Sequence, residues 1–117
     1  MTITRYHTGK KLSRIIEHCG IVYLCGQVAL DYNGNIIQQT REVLARIDEH
    51  LAEAGTDKCH MLAVTIYVKH MNDIPAMNEI WCDWLKDCAP PTRSCICADM
   101  ANDNILVEMT VTAAKLS

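Results

Sequence analysis

Apolar side chains recur at spacings of three and four in two stretches of the chain, and this periodicity predicts two amphipathic helices. The first covers residues 36–54 and ends before Gly55, a residue typical of helix ends. The second begins at Asp73, a good N-cap, and carries Pro75 in its first turn. The predicted buried stripes are Ile36, Thr40, Val43, Leu44, Ile47, Leu51 and Ala54 in the first helix, and Met77, Ile80, Trp81, Trp84 and Leu85 in the second.

Six other stretches alternate between apolar and polar residues or are rich in β-branched residues, and they predict strands. These stretches are residues 2–6, 12–18, 21–27, 58–71, 92–99 and 104–114. The resulting order, β-β-β-α-β-α-β-β, predicts an α+β fold in which a mixed six-stranded sheet carries both helices on one face. With 117 residues and no linker, the chain is predicted to form one domain, residues 1–117.

The two faces of the predicted sheet differ in polarity. The last strand alternates Ile105, Val107, Met109, Val111 and Ala113 with Leu106, Glu108, Thr110 and Thr112. The first set is predicted to face the helices, and the second set to face away from them. The second face is too polar for a core and too apolar for free solvent, so a partner subunit is its expected cover.

The composition narrows the class of protein. Eleven basic against fourteen acidic residues give a net charge of −3, which argues against a nucleic-acid groove. No stretch is apolar enough for a secretion signal or a membrane span, so a cytoplasmic protein is expected. In that compartment the seven cysteines are predicted to be free thiols, and the C-x-C spacing of Cys95 and Cys97 does not predict a metal site. Lys10 and Lys11, in the short segment "YHTGKK", are interpreted as solvated charges.

The segment "PPTRSCICAD" carries a permanent charge on a predicted strand. Arg93 and Cys95 are two residues apart and share a face. If the last two strands form a hairpin that pairs Ala98 with Ile105, Cys95 lies opposite Glu108, and all three polar residues share that face. Arginine can then grip a carboxylate with its planar fork, while the glutamate positions or deprotonates a water molecule. The alternative is an ordinary cross-strand Arg–Glu pair on a solvated face.

Three stretches resemble motifs of the RidA/YjgF superfamily, also called the endoribonuclease L-PSP or reactive intermediate deaminase family. They are "YLCGQVALD", "VTIYVKHMNDIPAMNEIW" and "PPTRSCICAD…VEMTVTAA", in the family's order, and the Arg-Ser-Cys tripeptide after proline is the most specific. The resemblance implies a chorismate-mutase-like fold and a homotrimer with ligand clefts between adjacent subunits. It also implies hydrolysis of enamines and imines of amino acids to 2-oxo acids and ammonia, with no metal or organic cofactor.

The same resemblance assigns roles to five residues of this chain. Arg93 corresponds to the arginine that grips the substrate carboxylate, and Cys95 to the cysteine whose main chain lines the site. Glu108 corresponds to the glutamate that handles the water. Gly26 corresponds to the glycine whose backbone faces the ligand, and Asn78 to the asparagine that ends the middle motif.

The chain also departs from the family pattern at three positions. Leu12 replaces the active-site tyrosine, Cys25 replaces the serine before Gly26, and Thr110 replaces the second glutamate of the last motif. Two hypotheses therefore stay open. The first is a hydrolase acting on C=N bonds, similar to 2-iminobutanoate/2-iminopropanoate deaminases; the second is a non-catalytic protein that binds or senses small carboxylates in the same cleft. RNA cleavage, which the older family name suggests, is disfavoured by the acidic charge balance.

Overall fold

The structure, a computed structural model, describes residues 1–116. The elements in chain order are β1 Thr4–Tyr6, β2 Ile15–His18, β3 Ile21–Leu24, α1 Ile36–Glu53, β4 Met61–Val68, α2 Ile74–Trp84, β5 Thr92–Cys97 and β6 Val107–Ala114. Two short 3₁₀ turns, Lys58–His60 and Met71–Asp73, precede β4 and α2. The predicted order of strands and helices is confirmed.

The strands form one sheet in the order β1-β2-β3-β6-β4-β5. Neighbouring strands are antiparallel except for β4 and β5, which run parallel, so the sheet is mixed as predicted. The predicted hairpin between the last two strands is wrong. Strand β6 lies between β3 and β4, and β5 is an edge strand that pairs only with β4. Helix α2 supplies the crossover that a parallel pair requires.

Both helices pack on one face of the sheet. Their buried side chains form a single cluster with alternate residues of the central strands, which include Val64, Ile66, Val68, Val107, Met109, Val111 and Ala113. The predicted alternation of β6 is therefore confirmed. Truncating one of the larger core side chains to alanine costs about 2–5 kcal/mol, because the surrounding side chains only partly refill the space.

The other face of the sheet carries no helix in the part of the chain that the structure describes, and we call it the open face. Cross-strand pairing places Thr65 between Thr110 and Ser94 on this face. Two of its aromatic or aliphatic residues, Tyr23 and Ile96, are each 46% exposed. The open face consists of Tyr23, Ala63, Thr65, Tyr67, Ser94, Ile96, Glu108, Thr110 and Thr112.

The two helices differ in how they begin. Helix α1 starts with a capping box, in which the Asn35 side chain accepts from the Gln38 backbone and the Gln38 side chain accepts from the Asn35 backbone. It ends before Gly55, whose φ of 81° suits glycine. Asp73 precedes α2 as predicted, but its side chain makes no capping hydrogen bond. Within residues 1–116, no helix combines the length and the apolar character that a membrane crossing needs.

One pair of cysteines is joined. Cys59, in the turn before β4, forms a disulfide with Cys88, which follows α2, and their Cα atoms are 5.0 Å apart. The prediction of free thiols is therefore wrong for this pair, because the fold brings together two residues 29 positions apart in sequence. The remaining cysteines, Cys19, Cys25, Cys82, Cys95 and Cys97, are free.

Candidate active site

Arg93 lies on the edge strand β5, beside Val64 of β4, and faces the helix layer. Its Nη2 donates to Asn78 Oδ1 at 2.5 Å, and its guanidinium carbon lies 5.8 Å from the centre of the Trp81 ring. Among residues 1–116, no carboxylate lies within 4.0 Å of the Arg93 guanidinium. An exposed guanidinium that is fixed by an amide and an indole has donors left for an anion.

Asn78 and Trp81 are three residues apart on α2 and therefore project from the same side of the helix. Asn78 was assigned to the site by resemblance, and the structure does place it against Arg93. Trp81 was predicted as a core residue, which is correct since it is only 4% exposed. Its second contact, with Arg93, was missed. The spacing of Asn78 and Trp81 was the signal that could have revealed it.

Glu108 and Gly26 lie close together, apart from the group of Arg93, Asn78 and Trp81. Gln27 forms an isolated antiparallel bridge with Met109, so Gly26 lies beside the strand that carries Glu108. A Cβ atom on Gly26 would overlap Glu108 Oε2 and lie 3.1 Å from its carboxyl carbon. Because only a residue without a side chain leaves this room, glycine at position 26 sets the position of the Glu108 carboxylate.

The Glu108 carboxylate borders a shallow cavity on the open face. The cavity has a volume of about 260 Å³ and is lined by Glu108, Tyr67, Thr110 and residues 98–101. Glu108 is half-buried, and Tyr67 lies directly opposite it on β4. A carboxylate at the edge of a small polar cavity can hold a water molecule by a hydrogen bond.

Arg93 and Glu108 do not share a face, and the predicted constellation is therefore wrong for a single chain. Arg93 pairs with Val64, which points to the core, whereas Glu108 pairs with Tyr67 on the open face. The residues are three positions apart along the strands and two strands apart across the sheet, so about 14 Å separates their Cα atoms. The cause is the position of β4 between β5 and β6.

Cys95 follows Arg93 on the same face of β5 and pairs with Ile66. Its side chain is half-buried and packs against the core, so its thiol faces the protein interior. Because β5 is an edge strand, one side of its backbone has no strand neighbour within residues 1–116. Main-chain groups of this segment are therefore open to a ligand or to a second protomer.

Cys25 precedes Gly26 and therefore lies near the Glu108 half of the site, whereas no contact joins Leu12 to Glu108 among the described residues. Leu12, in the loop between β1 and β2, is 53% exposed. The Cys25 backbone N–H donates to the Arg14 carbonyl at 3.0 Å, which fixes this loop beside the Cys25–Gly26 segment. The Cys25 thiol accepts a hydrogen bond from Gln27 Nε2 at 3.4 Å.

Two groups outside the candidate site have clearly shifted pKa values. A hydrogen bond from His60 lowers the pKa of Asp57, which also accepts from the Cys59 backbone. The ion pair with Glu17 raises the pKa of Lys115. Both interactions stabilise chain segments next to strand ends and do not touch Arg93 or Glu108.

Comparison with known proteins gives one family. The family model described as Endoribonuclease L-PSP matches residues 2–115. A RutC family protein of Haemophilus ducreyi is 39% identical over 112 residues, with 96% of each chain covered. An uncharacterized protein from Pseudomonas aeruginosa has a solved structure with a TM-score of 0.95 at 36% identity, covering 98% of this chain and 100% of that one. A YjgF family member from Neisseria meningitidis gives a TM-score of 0.93 at 36% identity, covering 100% and 98%.

The α+β architecture and these matches define the class of protein. The chain belongs to the endoribonuclease L-PSP family, which is the RidA/YjgF superfamily. Both the predicted family and the predicted fold are confirmed. The roles assigned to individual site residues stay predictions.

Proposed function

We propose that the protein is an enamine/imine deaminase that hydrolyses small 2-imino acids to 2-oxo acids and ammonia. The observation that carries the proposal is the Arg93 guanidinium, which is oriented by Asn78 and Trp81 and is free of carboxylate partners among residues 1–116. A planar fork held in this way matches the two oxygens of a substrate carboxylate. Membership of the RidA/YjgF superfamily supports the same reaction class.

In the proposed reaction, water adds to the imine carbon and Glu108 accepts a proton from that water. Glu108 returns this proton to the nitrogen, which gives a tetrahedral carbinolamine. As the C–N bond then breaks, the hydroxyl proton of this intermediate passes to the departing nitrogen, the C–O bond becomes the carbonyl of the 2-oxo acid, and ammonia leaves. The imine carbon is already electrophilic, so the protein contributes mainly by holding substrate and water in place. The reaction consumes only water, and the proposal calls for no metal or organic cofactor.

The proposed site lies between protomers of a homotrimer. Arg93 and Glu108 of one chain are too far apart to contact one small molecule, so Arg93 of one protomer is paired with Gly26 and Glu108 of its neighbour. Two features support this arrangement: Arg93 lies on an edge strand, and Glu108 lies on the open face, which has exposed apolar residues. The proposal places this assembly in the cytoplasm: the five free thiols suit a reducing compartment, whereas the Cys59–Cys88 disulfide is unusual there.

The second candidate is a non-catalytic protein that binds small carboxylates in the same cleft. It is favoured by Leu12, which provides no hydroxyl where the family has a tyrosine. Both candidates need Arg93. Only the deaminase needs Glu108 for turnover.

The first prediction concerns Arg93. Imino acids generated by an amino-acid oxidase should be converted to 2-oxo acids faster with the protein than without it, and Arg93→Ala should remove this acceleration. Glu108→Gln should keep ligand binding but lower turnover by about 10²-fold, the range typical of a lost general base. Arg41→Ala, a change of an exposed arginine on α1, is the matched control and should behave as wild type.

Each outcome assigns the protein to one candidate. Equal rates for wild type and Arg93→Ala would overturn the deaminase proposal. Thermal stabilisation by 2-oxo acids that depends on Arg93, without any turnover, would establish the binding protein instead.

A further inference from the structure

The loop between β1 and β2 concentrates positive charge in an otherwise acidic chain. The first sixteen residues contain four Lys or Arg residues and no Asp or Glu, whereas the whole chain has a net charge of −3. The loop borders a shallow, open cavity of about 370 Å³ that is lined by His7, Gly9, Lys10, Lys11, Leu12 and Arg14. No acidic residue belongs to this lining.

Internal hydrogen bonds fix the shape of the loop. The Gly9 backbone N–H donates to the Leu12 carbonyl at 2.9 Å, and the hydroxyls of Thr8 and Ser13 are 2.8 Å apart. The His7 ring is held by Glu53 of α1 at 2.6 Å. Since the loop is fixed in the free chain, a ligand that enters its cavity has little loop-ordering entropy to overcome.

Three of the cations in the loop have no acidic partner. In the part of the chain that the structure describes, no carboxylate lies within 4.0 Å of the side-chain nitrogens of Lys10, Lys11 or Arg14. Two acids line a neighbouring cavity, which Arg14 shares with Arg46, Glu49 and Glu53. The carboxylate of Glu53 is hydrogen-bonded to the His7 ring. Charges of one sign around a cavity attract an anionic ligand.

The backbone of the loop is hydrogen-bonded to the chain segment that leads to Gly26. The Arg14 carbonyl accepts a hydrogen bond from Cys25, the residue before Gly26, and Gly26 lies against the Glu108 carboxylate. Leu12, which lines the cavity, corresponds to the family's active-site tyrosine. In the proposed trimer, the protomer that supplies Glu108 therefore also supplies this cationic cavity.

We infer that Lys10 and Lys11 form a second anion subsite, so that the preferred ligands are dicarboxylic 2-imino and 2-oxo acids. One carboxylate binds Arg93 of one protomer, and the side-chain carboxylate binds the lysines of its neighbour. The inference rests on the proposed function and names its substrate class. It replaces the interpretation of these lysines as solvated charges.

The test compares a dicarboxylate with a monocarboxylate. Calorimetric titration with 2-oxoglutarate and with 2-oxobutanoate gives the ratio of their affinities for wild type and for the Lys10→Ala/Lys11→Ala double variant. We expect wild type to prefer the dicarboxylate, and the double variant to lose about tenfold in this ratio, the size of two weak charge–charge contacts. The wild-type ratio should also fall as salt is raised, since the contacts are solvent-exposed. Lys86→Ala, which alters an exposed lysine just after α2, is the matched control.

The outcomes separate this inference from the proposed function. If both acids bind in an Arg93-dependent way but the ratio is the same in wild type and in the double variant, the subsite is refuted and the deaminase proposal stands. If neither acid binds wild type, or if Arg93→Ala binds both normally, the proposed function fails and the subsite fails with it. A ratio that depends on the lysines and on salt establishes the subsite.

Discussion

Arg93 illustrates how one residue is prepared for a ligand by its neighbours. The Asn78 amide fixes one nitrogen of the guanidinium, and the Trp81 ring packs against it. Trp81 is itself buried in the core, so its position is set by packing and it does not need to be ordered when a ligand binds. A lysine at position 93 could neither stack in this way nor present two parallel donors.

Gly26 gives a prediction at the same scale. Gly26→Ala should destabilise the fold by about 1–3 kcal/mol, because the new methyl group overlaps the Glu108 carboxylate. The cost should largely disappear in a Glu108→Ala background, where the overlapping group is absent. Thermal or denaturant unfolding of wild type, the two single variants and the double variant measures the coupling free energy between positions 26 and 108. An equal cost in both backgrounds would show that Glu108 is not the group that requires glycine.

At the scale of elements, the sequence predicted local structure better than strand partners. The periodicity of residues 36–54 matches α1 within one residue, because a helix is defined by contacts three and four positions apart. The partners of β5 depend on distant segments. The connection of β4 to β5 through a helix was the available signal for a parallel pair, and a hairpin of β5 with β6 was predicted in its place.

For the candidate site too, local features could be predicted from the sequence, but features that depend on strand order could not. The polar residues themselves could be chosen from short motifs, and Asn78 does contact Arg93. The sheet face on which each residue lies could not be predicted in this way. Because β4 lies between β5 and β6, Arg93 and Glu108 are on opposite faces, whereas the sequence predicted one shared face. The pairing of Cys59 with Cys88 could not be predicted from the sequence either, since the two residues meet only when α2 packs beside the turn before β4.

The disulfide gives the prediction for this scale. Replacing Cys59 and Cys88 together by serine should lower the free energy of unfolding by about 3–4 kcal/mol, because the closed loop of roughly 30 residues then gains entropy in the unfolded chain. Reducing the wild-type protein should have the same effect and should not change the double variant. Cys82→Ser, which alters an exposed free thiol on α2, is the control. Alkylation of all seven cysteines in unreduced, denatured protein would contradict the pairing.

At the scale of the whole molecule, one face of the sheet packs against the helices and the other, the open face, is available to a second protomer. Both helices pack on the core side, whereas the open face combines threonines with Tyr23, Tyr67 and Ile96. Glu108 lies within this surface, and Arg93 lies on the edge strand beside it. One chain thus carries two separate half-sites, one with Arg93 and one with Glu108. This arrangement is expected when neighbouring protomers around a rotation axis each contribute one half to a shared site.

This arrangement can be tested by mixing two inactive variants. If each site takes Arg93 from one protomer and Glu108 from the next, trimers of Arg93→Ala and Glu108→Gln chains contain some sites with both residues intact. Co-refolded in equal amounts, the mixture should recover about one quarter of wild-type activity, because each site draws its two protomers at random. Light scattering should give a mass about three times the 13.2 kDa of the chain. A site built within one chain would give no recovery, since every chain in the mixture carries a defect, and a 13.2 kDa particle would exclude shared sites altogether.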